Sequence, residues 1–250
     1  MEFTYESYKM MLKNLMDKGY SFKNYLNWDE EEKTVILRHD VDNSLKKAVL
    51  LSEIEKEMSV HGATYFVLLS TNFYNVHSKE SRKCINNIIK NGGSIGLHFD
   101  ETQYDISSEE EMKECVCKEI KMLSEIIDTK VNVVSMHRPS EKILSGDVEF
   151  TDIINSYSDT FFHRMKYLSD SRRCWRENID DIIMGERYAR LHILTHPFWY
   201  MKGKEKNLKQ TLKDAMIEAA MNYYDNVDNN FRNLESELAR AEIEKIVRLL

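Results

Sequence analysis

Four apolar segments of this 250-residue sequence each run into a histidine. Val35-Ile36-Leu37 leads into Arg38-His39-Asp40-Val41-Asp42, and Ile95-Gly96-Leu97 leads into His98-Phe99-Asp100. Val133-Val134-Ser135-Met136 leads into His137-Arg138-Pro139, and Leu191-His192-Ile193-Leu194-Thr195 leads into His196-Pro197. Charge at the end of a buried strand is costly unless it pairs or meets a metal. Imidazole and carboxylate together make a donor set for a divalent ion. A further carboxylate beside that ion can act as a general base, and a histidine as a general acid. Asp40 and Asp42 are separated by one residue, so in an extended chain they share a face.

The elements that must position these groups alternate in type. Tyr5, Tyr8, Leu12 and Leu15 predict an opening amphipathic helix that ends near Gly19. A strand over 34–39 follows, then a helix capped near Asn43 or Ser44 and marked by Leu45, Ala48, Leu51, Ile54 and Met58. "ATYFVLLS" (63–70), "SIGLHF" (94–99), "VNVVSMH" (131–137) and "LHILTH" (191–196) read as further strands. Between them lie a helix stopped at Gly92-Gly93 and one opened by a capping box, Ser108 to Glu111. Short strands are expected near 160–169, and helices over Leu208 to Tyr223 and Leu234 to Leu250. Repeated strand–helix units imply a mostly parallel sheet, open or closed into a barrel. Parallel strands put their C-terminal ends on one rim, where α/β barrels build their sites. Four of the eight histidines and both prolines gather there.

Composition narrows the partners. Net charge is −7 with the basic residues scattered, which argues against nucleic acid or an anionic membrane surface. Eight glycines and two prolines leave no linker or low-complexity tract. The start, "MEFTYESYKMML", lacks the basic region and apolar run of a signal peptide, and no apolar run reaches the ~18 residues of a membrane span. Cys84, Cys115, Cys117 and Cys174 show no zinc spacing and read as reduced thiols. A cytoplasmic protein is the expectation.

In their order and spacing, "RHDVD", "ATYFVLL", "GLHFD", "HRPS", "YLSDS…W" and "LTHP" cover about residues 34–200. Through them the sequence resembles the polysaccharide deacetylases of the NodB-homology group (carbohydrate esterase family four). It is most similar to a branch associated with O-antigen and other surface-polysaccharide clusters. The resemblance implies an α/β fold: a distorted, incomplete (β/α) barrel of about seven parallel strands with extra N- and C-terminal helices. The barrel is expected over 1–202; residues 203–250 lie outside the resemblance, and their amphipathic pattern reads as a helical extension packed on the barrel or on a partner chain, one structural domain in all. The resemblance also implies a hydrolase that uses one divalent metal ion to remove acetyl, or a similar small acyl group, from an N-acylated sugar. Zinc is the first choice of metal, followed by manganese, iron or cobalt.

By that resemblance Asp40 is the general base, while Asp42 and His98 are metal ligands. Arg138 pairs with the base, His196 is the general acid, and Asp170 orients His196. The family's second metal histidine, four residues after His98, is replaced here by Thr102. Asp100 is the nearest substitute, on the same face of an extended strand as His98; His137 and Glu101 are its rivals. Trp175 and Trp199 could line a sugar cleft, since aromatic faces suit sugar C–H surfaces, or could pack in the core. His39, His163 and His192 read as structural or rim residues.

Absence of an export signal points toward a nucleotide- or lipid-linked precursor, or an oligomer, as substrate. Thr102 leaves open a catalytically inactive, deacetylase-like glycan-binding protein. His39-Asp40 is also the residue pair of the His-Asp phosphohydrolases, but that family carries its pair on helices, and here it ends an apolar strand. The C-terminal helices would suit an assembly protein, or could join two copies of the chain.

Overall fold

The computed structural model describes residues 1–30, 32–145 and 148–249. The chain divides into two compact units, Met1–Gly203 and Lys204–Leu250. The first unit opens with helix α1 (Tyr5–Asp17), capped by the Thr4 side chain, and the short strand β1 (Ser21–Lys23). Then follow β2 (Thr34–Val41), α2 (Leu45–Glu57), β3 (Thr64–Leu68), α3 (Lys79–Lys90) and β4 (Ser94–Phe99). Next come α4 (Glu109–Ile127), β5 (Val133–Met136), α5 (Glu141–Ser145), β6 (Ile154–Asn155), β7 (Lys166–Ser169), α6 (Ile179–Gly185) and β8 (Arg190–Thr195).

All strand pairings are parallel, in the order β6-β5-β4-β3-β2-β8-β7. These seven strands curl into a half-barrel with flanking helices, open between β6 and β7. One side of β2 is taken by β8; the other is shared, β1 covering Thr34–Ile36 and β3 covering Arg38–Val41. Every residue of β2 is buried, as a central strand covered on both faces requires. Its odd-numbered residues face the helices: Val35, Leu37 and Val41 join the large core with Leu12 and Leu15 of α1 and Ala48 and Leu51 of α2. Its even-numbered residues face the barrel interior, where Ile36 packs with Tyr25, Phe66, Val133, Phe161 and Met165. Gly96 of β4 makes room there, since a Cβ at that position would lie 2.5 Å from the Phe66 ring.

Some expectations shift in detail. Ser44 caps α2 by accepting from Lys47 N. Ser108 accepts from Glu111 N as the capping box requires, but the Glu111 carboxylate turns to Ser107 N and Oγ instead of closing the box. The region 154–169 holds β6, a π-turn at Thr160–Arg164 and β7. β1 has too few residues to show a periodicity. All four cysteines are free thiols. No helix among the described residues is long and apolar enough to cross a membrane.

The second unit holds α7 (Leu208–Asp228), α8 (Leu234–Glu237) and α9 (Arg240–Leu249). Asn207 and Gln210 form a complete capping box at the start of α7. The single helix expected from Leu234 breaks at Leu238, whose carbonyl and Glu235 both accept from Tyr224 of α7.

Candidate active site

The inner face of β2 carries Arg38 and Asp40, with Asp42 just beyond its end. Arg38 is fully buried and grips Asp40 with two parallel bonds, Nε to Oδ1 and Nη2 to Oδ2, both 2.8 Å. Nη2 also donates to Ser135 Oγ of β5 and, at 3.2 Å, to Tyr157 OH. The guanidinium lies 4.6 Å from the Tyr157 ring centroid, a cation–π contact. Burial opposes ionisation of Asp40, but Arg38 and then His98 outweigh it and keep the carboxyl below its ordinary value.

Asp42, His98 of the β4 end and His137 just after β5 converge. His98 Nε2 and His137 Nδ1 each lie 3.2 Å from Asp42 Oδ1, and the two nitrogens are 3.1 Å apart. A tetrahedral ion with bonds of ~2.05 Å puts its ligand atoms ~3.3 Å from one another. The trio therefore has the spacing of three corners of such a shell. Asp42 Oδ1 is buried, yet neither imidazole aims an N–H along a hydrogen-bond direction to it. Two ring nitrogens and a carboxylate oxygen crowded together repel unless a proton or a cation sits among them. The donor set and its spacing fit a zinc-like divalent ion. Burial opposes charge on Asp42, but the two imidazoles hold its carboxyl far below the usual range. Burial likewise opposes charge on His137, and Asp42 raises its pKa nonetheless.

His196 follows β8. Its Nδ1 lies 2.6 Å from Asp170 Oδ1, and its backbone N–H donates to both Asp170 oxygens at 3.0 Å. Tyr200 OH adds a bond to Asp170 Oδ2 at 3.2 Å, so this fully buried carboxylate is satisfied. His196 Nε2 is then left facing the trio, 3.8 Å from Asp42 Oδ2. Burial disfavours the imidazolium, but Asp170, then Asp40 and Asp42, raise its pKa from 6.5 to about 9. A raised folded-state pKa adds stability that is complete below the unfolded value, about 6.5, and is lost as pH rises through about 9. The melting temperature of the metal-free protein should therefore fall by several degrees between pH 7 and 10. Asp170→Asn should flatten that fall, and equal slopes in the two proteins would refute the pairing.

Two expected assignments are corrected by the geometry. Arg138 does not meet Asp40. It is 60 % exposed and donates to Asp100 Oδ2 at 2.9 Å. Arg38 meets Asp40 because residues two apart on a strand share a face. Asp100 does not join Asp42 and His98. Beyond Phe99 the chain enters a 3₁₀ turn, Glu101–Gln103, and Asp100 caps it, accepting from Thr102 N and Oγ1 and from Gln103 Nε2. Alternation ends with the strand, and His137 takes the third position. Its backbone N–H donates to the Phe99 carbonyl at 2.8 Å, which sets it beside His98 across the β4–β5 pair. Glu101 turns to Ser140 N. Trp175 and Trp199 are half-buried and pack on the main core, each with a buried indole N–H that lacks a partner among the described residues.

The residue that sequence reasoning missed is Arg38, and the i, i+2 rule applied to "RHDVD" would have found it. No family model matches this sequence, and no curated protein matches it. Among solved structures, it is similar to the Streptococcus pyogenes deacetylase PplD in complex with acetate: 13 % identity over 77 % of this chain and 81 % of that one, TM-score 0.44. It is similar to the chitin deacetylase of the fungal pathogen Colletotrichum lindemuthianum at 16 % identity over 79 % and 85 %, TM-score 0.47. It is also similar to BA3943 of Bacillus anthracis, a CE4 family pseudoenzyme, at 16 % identity over 80 % and 64 %, TM-score 0.43.

Proposed function

We propose that this chain is a metal-dependent deacylase that hydrolyses the amide of an N-acylated sugar. One observation carries the reading. A metal-ligand trio, an arginine-held carboxylate and an aspartate-held histidine meet at the C-terminal ends of β2, β4, β5 and β8. Asp42, His98 and His137 would hold the ion, which supplies Lewis acidity toward water and the acyl carbonyl. Asp40 stays ionised against Arg38, and its Oδ2 lies 3.6 Å from His98 Nε2, on the trio's side. It takes the proton of the attacking water. His196 keeps its own proton at neutral pH and gives it from Nε2 to the departing amine. Asp170 fixes the ring so that Nε2, not Nδ1, faces the substrate.

Acetyl is the first acyl group to test, and a nucleotide- or lipid-linked sugar in surface-polysaccharide synthesis the first substrate class. The test is acetate release from nucleotide-linked N-acetylated sugars and from N-acetylated oligomers, with the protein reloaded with zinc, manganese, cobalt or iron. Asp40→Asn and His196→Ala should each lower turnover by about 10²–10⁴-fold while the protein stays folded. Near-normal rates in either would remove that residue from the mechanism. Stoichiometric metal with no acyl release from any of these sugars would overturn the deacylase reading in favour of glycan binding.

A further inference from the structure

The residue between Arg38 and Asp40 points the other way. His39 is fully buried on the helix side of β2. Its Nδ1 lies 2.6 Å from Thr195 Oγ1, directly across the β2–β8 pair. Its Nε2 lies 2.8 Å from Glu55 Oε1 of α2, off the ideal hydrogen-bond direction. Tyr8 of α1 donates to that same oxygen at 2.6 Å, and Tyr65 of β3 donates to Glu55 Oε2 at 2.7 Å. The Tyr65 ring also lies on the imidazole, with centroids 4.4 Å apart. Side chains from α1, α2, β2, β3 and β8 thus meet in one knot. The cluster on this side of the sheet is otherwise built from residues such as Leu12, Leu37, Leu51 and Val67.

Such a knot is a poor device for stability. Taking charged and polar groups out of water costs about what their contacts return, and apolar side chains of similar volume serve as well. What it supplies is direction, because bonds of fixed length tie particular atoms together. Its two sheet anchors, His39 and Thr195, are the chain neighbours of Asp40 and His196. A displacement of ~1 Å between reacting groups can cost ~100-fold in rate.

We infer that Glu55 is a positioning residue. With Tyr8 and Tyr65 it clamps His39 against Thr195 and so keeps the ends of β2 and β8, with Asp40 and His196 on them, in mutual register. The consequence for rate rests on the deacylase reading; the clamp itself does not.

The test compares the full chain with two variants. One makes the knot apolar throughout (Tyr8→Phe, His39→Leu, Glu55→Met, Tyr65→Phe, Thr195→Val), so that no buried polar group is left stranded. The second is the conservative Glu55→Gln. The readout is backbone amide exchange followed by mass spectrometry. In the apolar variant, peptides covering residues 38–43 and 193–198 should exchange at least about tenfold faster, with the rest of the sheet and the melting temperature little changed. Glu55→Gln should fall between it and the parent. Zinc affinity of the apolar variant should weaken about tenfold, as for other groups that orient ligands, and kcat should fall with KM nearly constant. Unchanged exchange in the two peptides, or faster exchange spread evenly over the sheet, overturns the inference. If the apolar variant fails to fold, the same comparison on Glu55→Gln decides. A parent protein that neither binds zinc nor releases acyl groups would end the deacylase reading and leave the exchange result decisive for the clamp.

Discussion

Arg38→Met is expected to destabilise the protein by about 3–5 kcal/mol, the range for breaking a buried pair from one side. For a domain of this size that is a fall in melting temperature of about 6–20 °C. Asp40 is 4 % exposed and would be left charged in the barrel interior without its arginine, facing the imidazoles of His98 and His196. Its pKa would then rise toward protonation, and a protonated Asp40 cannot accept a proton from water. Turnover should therefore fall with stability. Arg38→Lys should recover only part of either, because an ammonium cannot reproduce the two parallel bonds to Oδ1 and Oδ2. The double variant Arg38→Met with Asp40→Leu should regain most of the stability and none of the activity. Denaturant titration with parallel turnover measurements checks all three. A single Arg38→Met variant within about 1 kcal/mol of the parent would mean that Asp40 finds another partner.

The second large effect concerns the metal. His137→Ala should weaken zinc binding by more than about 100-fold, beyond what is usual for groups that only orient a ligand. Asp100→Asn should change it by less than about tenfold, since Asp100 caps a turn and accepts from Arg138. Competition against a chelator of known affinity measures both. The opposite ranking would restore Asp100 as the third ligand and require the 3₁₀ turn at Glu101–Gln103 to open on metal binding.

These two predictions fall where the sequence was hardest to read. The strands themselves were legible, because β2, β3, β4 and β8 are runs of branched and aromatic residues bounded by polar turns. The gathering of His98, His137 and His196 on one rim followed from parallel strands alone. β7 falls within the short strands expected near 160–169, whereas β6 leaves no readable pattern, since it has two residues and a π-turn interrupts the chain between them. Asp100 stands apart from His98 and Asp42 because side-chain alternation stops where its strand does, at Phe99. Arg138 departs from the pairing that the resemblance implies because Arg38, two residues before Asp40 on the same strand, already holds that carboxylate.

By itself, then, the sequence determined which residue types stand at which strand ends: two carboxylates at the end of β2, a histidine at the end of each of β4, β5 and β8, and the alternation that sets Arg38 and Asp40 on one face and His39 on the other. Those are local properties, set by hydrophobic pattern and by the period of a strand. Only the tertiary structure decided who meets whom. β4 lies beside β5, so His137 joins His98; β2 lies beside β8, so His39 reaches Thr195, and His196 comes within 3.8 Å of Asp42. Strand order in a sheet is a product of how the whole chain packs, and no window of sequence contains it.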